Sequence, residues 1–205
     1  MDKAIIQPIF AEIVCVYNDL QVDNNKLKSM YDKQTFKKTN QEDGHINFCS
    51  LSTDYHVLDK EVELQKYFLN IMNDFGVQVL KSKNNFKMTT SWFTKAETGE
   101  ITTWHNHSNS MYSGVYYFDQ PADELSKFKL EKPYISPFDV DVTEITSNNC
   151  KSYEFTFGNN SMILFPSYLR HKLMLHKYKQ VRKSLAFNFI PVGVIGKFSE
   201  EMAIQ

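Results

Sequence analysis

Long apolar runs are missing from this 205-residue chain. No stretch approaches the roughly 18 consecutive apolar residues that a membrane-spanning helix needs, so no span and no membrane partner are expected. The opening "MDKAIIQPIFAEIVCVYNDL" is broken by Asp2, Lys3, Pro8 and Glu12, and no small-residue cleavage site follows it. No signal peptide is read there, and a cytoplasmic location is expected. Cysteine is scarce too: Cys15, Cys49 and Cys150 form no CxxC pair and leave an odd thiol. That argues against a disulfide framework and for a reducing compartment with structural thiols. Charge of one sign is also lacking, with 23 Lys and Arg against 24 Asp and Glu and a formal net charge of −1. Nucleic acid is therefore not an expected partner. The chain shows no repeat, low-complexity segment, Gly-rich phosphate loop, nucleophile elbow or glycosidase-like carboxylate pair.

What is present is globular: 42% hydrophobic, 23% charged and 14% aromatic residues, in a length suited to one sizeable core. We read a single domain over 1–205, with N-terminal support in 1–85, a β core in 86–190 and a tail in 191–205. A short strand is expected over 9–16, a polar surface helix at "NNKLKSMYDKQ" and a loop at "TNQEDGHIN". Val62, Leu69 and Met72, with Leu58 and Phe68, fall near a 3.6-residue period, predicting a helix capped by Asp59 and stopped at Gly76. From Phe86 the period becomes two. "FKMTTSWFTKA" sets Phe86, Met88, Thr90 and Trp92 against Lys87, Thr89, Ser91 and Phe93. Further strands are expected at 101–106, 112–118, 127–130, 140–146, 153–157, 161–165, 171–175 and 182–190. So many short strands predict a mainly β sandwich or barrel with the helix on one outer face.

The chemistry concentrates in "TTWHNHSNSMYSGVYYFD", where His105 and His107 stand two apart. In an extended segment such residues face the same way, so two imidazoles can aim at one point. Alone, HxH is weak evidence, and the blander reading is a pair of exposed or hydrogen-bonding histidines. "SMILFPSYLRHKL" then delivers His171 after a Phe-Pro-Ser turn, and "RKSLAFNF" begins 11 residues later. On that strand Arg182, Ser184, Ala186 and Asn188 share one face, and Leu185, Phe187 and Phe189 the other. An arginine inside an apolar strand is costly unless it meets an anion, and the guanidinium fork suits a carboxylate.

Together, "HNHSNSMYSGVYYFDQP", "MILFPSYLRH" and "RKSLAFNF" resemble the 2-oxoglutarate/Fe(II)-dependent oxygenases of marine bacteria and their phages, within the prolyl-hydroxylase-like superfamily. The resemblance covers about residues 86–190. It implies a double-stranded β-helix, the cupin-like jelly roll, with N-terminal supporting helices. It also implies Fe(II), 2-oxoglutarate as co-substrate and O2. Carried over by position, His105 and His171 would be iron ligands, Arg182 would meet the far carboxylate of 2-oxoglutarate, and Ser184 and Tyr117 would assist. Asn188 would border the co-substrate or substrate, or make a structural hydrogen bond. His107 stands where most members carry Asp or Glu, giving a three-histidine site with one less negative charge.

The implied activity is a dioxygenase that hydroxylates a peptidyl side chain or a small metabolite, releasing succinate and CO2. Two rivals stand beside it. One is a three-histidine cupin-type dioxygenase whose Arg182 binds a carboxylate of the substrate itself. The other is a non-enzymatic metal- or ligand-binding jelly roll. Substrate selection is expected in loops, at residues 122–141 and 106–112. His45 and His56 carry no assigned role, His176 is read as solvated and Arg170 as facing away from the site. Trp92 and Trp104 are read as core or rim aromatics.

Overall fold

A computed structural model describes residues 10–39, 48–120, 125–134 and 136–205. Residues 1–9, residues 40–47 of the expected loop with His45, and 121–124 and 135, in or beside the expected substrate loop, lie outside that description. The chain runs β1 (Cys15–Tyr17), α1 (Asn24–Tyr31), β2 (Phe36–Lys38), β3 (Ser50–Ser52), α2 (Val62–Gln78), β4 (Phe86–Ala96) and β5 (Tyr112–Phe118). It continues with β6 (Ser126–Glu131), β7 (Ser152–Phe157), β8 (Ser161–Pro166), β9 (His171–Leu173), β10 (Arg182–Pro191), β11 (Gly193–Ile195) and β12 (Met202–Ile204). Seven strands form the large sheet in the order β1-β8-β5-β10-β4-β3-β2, and β7-β6-β9 form a small one. The strands within each pair are antiparallel. No helix among the described residues is long and apolar enough to cross a membrane.

The period-two pattern of the central strands builds two cores. Tyr116 and Phe118 of β5, with Leu185, Phe187 and Phe189 of β10, face the helices and join Leu27, Phe68, Met72 and Phe75. Val115, Tyr117 and Ala186 face the other way, against Phe128, Leu130, Phe157 and Leu173 of the small sheet. Each such buried aromatic or aliphatic side chain contributes on the order of 1.5–3 kcal/mol. The two layers therefore clamp the inward face of β5 and β10 in place. Gly114 on β5 is required by this packing, because a Cβ there would lie 2.2 Å from Cε2 of Phe187.

Several expectations are corrected. The long helix is capped by Glu61 without a side-chain bond, not by Asp59, and it runs past Gly76 to Gln78. Gly76 lies within it because the Phe86 ring fills the space of a side chain, 2.8 Å from where its Cβ would be. The alternation of β4 switches face. Its register against β10 shifts between Thr90 and Met88, so Thr89 is an extra residue. Phe86 and Met88 consequently join Phe93 under the helices, while Thr90 and Trp92 face the inner cavity.

The expected strand at 101–106 is reduced to bridges, Ile101 with Phe48 and His105 with His171. The expected strand at 140–146 is irregular, and Val140 and Ile145 are about three-quarters exposed. The strand expected at 171–175 stops at Leu173. Strands β1, β2 and β3, in the segment read as helical support, extend the large sheet, and the tail folds as the hairpin β11-β12.

Candidate metal centre and co-substrate site

His105 and His171 are joined through their backbones. His105 N donates to His171 O at 3.0 Å and His171 N to His105 O at 2.7 Å. A hydrogen-bonded antiparallel pair puts both side chains on one face, and the rings lie 4.2 Å apart between centroids. His107 is fixed by its own N–H, which donates to Ser167 O at 2.9 Å, and its ring centroid lies 4.9 Å from that of His171. The ligand atoms of the three histidines all lie within 4.8 Å of one another, a cluster able to hold a metal ion.

The hydrogen bonds of the rings fix which nitrogen is available. Nδ1 of His105 lies 2.8 Å from Thr103 O, and Nδ1 of His171 lies 3.0 Å from Leu169 O. A carbonyl only accepts, so both Nδ1 atoms carry the proton and both Nε2 atoms present a lone pair. Nδ1 of His107 lies 2.7 Å from Asn188 Oδ1 and 2.8 Å from Ser113 Oγ. Asn188 is turned by its Nδ2, which donates to Thr90 Oγ1 at 3.0 Å, so Oδ1 faces His107 as the acceptor. Burial keeps all three rings neutral. It lowers His105, pushes His107 down to about 4 against the support of Asn188, and lowers His171 furthest, helped by its two neighbours. Neutral imidazole is the form that ligates metal.

The histidines open onto a cavity of about 460 Å³ between the sheets, lined also by Thr90, Trp92, Thr94, Ser184 and Asn188. Two steps beyond Ser184 on β10 lies Arg182, only 2% exposed, bordering a smaller cavity of about 160 Å³. Its Nε and Nη2, and the hydroxyl of Tyr117, are buried without a hydrogen-bond partner. Tyr117 lies opposite Ser184 in the β5–β10 register, and its ring stacks on Phe157 at 5.1 Å. Burial lowers the Arg182 guanidinium and raises the Tyr117 phenol, and each stabilises the other's charged form. Ser184 Oγ hydrogen-bonds Thr94 Oγ1 across the β10–β4 pair.

Of the residues singled out from sequence, His105, His107 and His171 converge, and Asn188 supports His107. Ser184, Tyr117 and Arg182 cluster deeper on the same inward face. Sequence reasoning missed Ser113 and Ser167, whose hydroxyls are 2.8 Å apart and back the His107 ring. The alternation that aims Tyr117 and Val115 inward aims Ser113 inward as well, so the signal was available. His176 is corrected: β9 ends before it, strand alternation does not reach it, and it is buried with its Nε2 donating to Gln180 O at 2.6 Å. Arg170 is exposed and bonds Glu131 at 2.6 Å. His56 is exposed beside Asp59, Trp104 stacks under the Lys172 ammonium at 4.7 Å, and the three cysteines are free.

Residues 90–188 match the family model described as "Putative 2OG-Fe(II) oxygenase". The matched segment runs from β4 to β10. No curated protein matches the chain in sequence. Among solved structures, HygX from Streptomyces hygroscopicus with nickel, 2-oxoglutarate and hygromycin B superimposes with a TM-score of 0.57 at 9% identity, over 88% of this chain and 83% of that one. A prolyl hydroxylase from Trichoplax adhaerens, in complex with a peptide fragment of hypoxia inducible factor, gives 0.58 at 9% identity over 86% and 82%. The α-ketoglutarate-dependent epimerase SnoN of nogalamycin biosynthesis gives 0.64 at 7% over 89% and 80%. At these identities the likeness is one of fold.

Proposed function

We propose that the chain is a 2-oxoglutarate-dependent oxygenase in which His105, His107 and His171 hold Fe(II) and Arg182 holds the far carboxylate of 2-oxoglutarate. The observation that carries this reading is the buried, unpartnered face of Arg182 together with the unpartnered hydroxyl of Tyr117. Leaving a cation dry and unpaired costs several kcal/mol, far more than an ordinary surface arginine would. A carboxylate would satisfy both groups at once, accepting from Nε and Nη2 and from the Tyr117 O–H. The Ser184–Thr94 hydroxyl pair has one proton left after its own hydrogen bond and offers a further donor.

Bound there, iron would activate dioxygen, the oxidant, with 2-oxoglutarate supplying two electrons: one oxygen atom would enter the succinate formed as the keto acid loses carbon dioxide, and the other would go to the substrate. The chain's residues do the rest. The three neutral histidines present Nε2 lone pairs, and Asn188 and Ser113 hold the His107 ring. The aromatic and aliphatic walls, with Trp92, Val115, Phe128 and Leu173, exclude water. Hydroxylation of a peptidyl side chain or small metabolite entering this cavity is the outcome we favour. The free cysteines support a reducing, cytoplasmic setting.

The absence of a carboxylate among the three clustered ligands favours one rival, a cupin-type dioxygenase whose Arg182 binds the substrate directly. Incubating Fe(II)-loaded protein with 2-oxoglutarate and following succinate separates the two. Succinate formation, even without added substrate, supports the proposal; oxygen uptake independent of 2-oxoglutarate supports the rival. Failure to bind 2-oxoglutarate at all ends the first reading.

A further inference from the structure

The cavity beside the three histidines has no Asp, Glu, Lys or Arg in its wall among the described residues. The strands that build it are not short of charge, but alternation sends that charge elsewhere. On β6, Phe128 and Leu130 face inward while Lys127, Lys129 and Glu131 face out. There Lys127 bonds Glu154 at 2.8 Å and Glu131 bonds Arg170 at 2.6 Å. On β9, Lys172 lies between His171 and Leu173 and turns out over the Trp104 ring at 4.7 Å. On β10, Lys183 takes the face opposite Ser184 and bonds Asp119 at 2.6 Å.

What the wall offers instead is apolar surface with a few donors. The Trp92 ring stands 5.4 Å from that of His107 between centroids, and Tyr55, about half exposed, stands at the rim. The two are tied through Ser91, the neighbour of Trp92, whose N–H donates to Tyr55 O at 2.8 Å. Two hydroxyls of the wall have a proton to give. Thr90 Oγ1 accepts from Asn188 Nδ2 at 3.0 Å and Thr102 Oγ1 from Leu173 N at 2.7 Å, so each keeps its own O–H as a donor. Such a wall suits a neutral group that carries an amide, ether or alcohol oxygen.

A charge brought out of water against this wall loses its hydration and gains no counter-ion. Its sign matters as well. With the function proposed above, the histidines are neutral, Fe(II) and the doubly negative co-substrate cancel, and Arg182 leaves the site with one positive charge. An ammonium entering the cavity meets like charge, whereas a carboxylate keeps part of its attraction.

We propose that the group oxidised in this cavity is uncharged and mainly apolar, and that cations are excluded from it more strongly than anions. The inference rests on the function proposed above.

The test is saturation-transfer NMR on the chain loaded with 2-oxoglutarate and Zn(II), a redox-inert and diamagnetic stand-in for iron, after 2-oxoglutarate binding has been measured on the same sample. The probes are N-acetyl-norleucinamide and N-acetyl-lysinamide, which share an alkyl chain without and with a terminal ammonium, and N-acetyl-glutaminamide with its carboxylate counterpart. The norleucine probe is expected to bind about tenfold or more tightly than the lysine probe, and the glutamine probe to exceed its carboxylate by a smaller factor. Leu51 of β3 lines the cavity away from the metal ligands, so Leu51→Asp adds the missing counter-ion and is expected to narrow the norleucine–lysine gap about fivefold. Equal or tighter binding of either charged probe, no binding by any probe, or an unaltered gap in Leu51→Asp overturns the inference while 2-oxoglutarate binding keeps the proposed function. If Leu51→Asp does not fold, the native panel decides alone. No 2-oxoglutarate binding by the native chain removes the proposed function and this inference with it.

Discussion

Nδ1 of His107 and Oδ1 of Asn188 lie 2.7 Å apart, with Asn188 fixed on its other side by Thr90. The pair sets both the tautomer and the orientation of the ring that stands where a carboxylate is usual. Replacing Asn188 with alanine is expected to lower Fe(II) affinity about 10–100-fold, the usual cost of losing a partner behind a ligand. Circular dichroism should remain native. Unchanged metal affinity would show that Ser113 alone holds the ring.

His107 itself separates metal binding from mere proximity. The alanine variant is expected to lose most of its iron occupancy, read by metal analysis after gel filtration. Aspartate restores an anionic ligand and is expected to retain iron. Full occupancy in the alanine variant would remove His107 from the ligand set.

For Arg182 and Tyr117 the readout is the co-substrate. Arg182→Lys keeps the charge but loses the planar fork, so 2-oxoglutarate binding is expected to weaken at least tenfold while metal binding is kept. Tyr117→Phe removes one donor and is expected to cost less, about threefold, because the phenol is neutral and contributes one hydrogen bond. Equal affinities in all three proteins would remove both residues from the co-substrate site.

The metal-free protein should lose stability in acid. His105, His107 and His171 have folded-state values held below the ordinary 6.5, so under acid conditions the unfolded chain takes up protons that the folded one does not. Stability is therefore full above pH 6.5 and falls below it, each histidine contributing a slope of about 1.4 kcal/mol per pH unit. For His107 the slope ends near its folded value of about 4. Urea midpoints measured from pH 7.5 to 4.5 check this, and a flat profile contradicts it.

Gly114→Ala tests the packing that aims β5. The added methyl would collide with the Phe187 ring, and a destabilisation of about 1–3 kcal/mol is expected from denaturant unfolding. Combining it with Phe187→Leu should return part of that loss. A neutral single substitution would mean the ring has room to turn.

The sandwich was legible wherever one face of a strand is buried and the other is too, as in β5 and β10, because the period of two then separates aromatic from small and polar residues. The inward placement of Ser184 and Asn188 follows from that alone. What alternation could not carry was a change of phase. The extra residue at Thr89 reassigns Phe86 and Met88 to the outer core, and β9 ends too early for its alternation to reach His176. Gly76 misled for another reason: a glycine kept for close approach of Phe86 has the same letter as one that ends a helix.

The mutual backbone bonds of His105 and His171 carry a consequence for how such a barrel can diversify. Their spacing belongs to the main chain of two neighbouring segments, not to the side chains of the mouth. The loops that meet visiting molecules can then be exchanged, lengthened or recharged while the two imidazoles keep their separation. A graft of foreign loops onto this frame inherits that spacing before any of its own residues has been chosen.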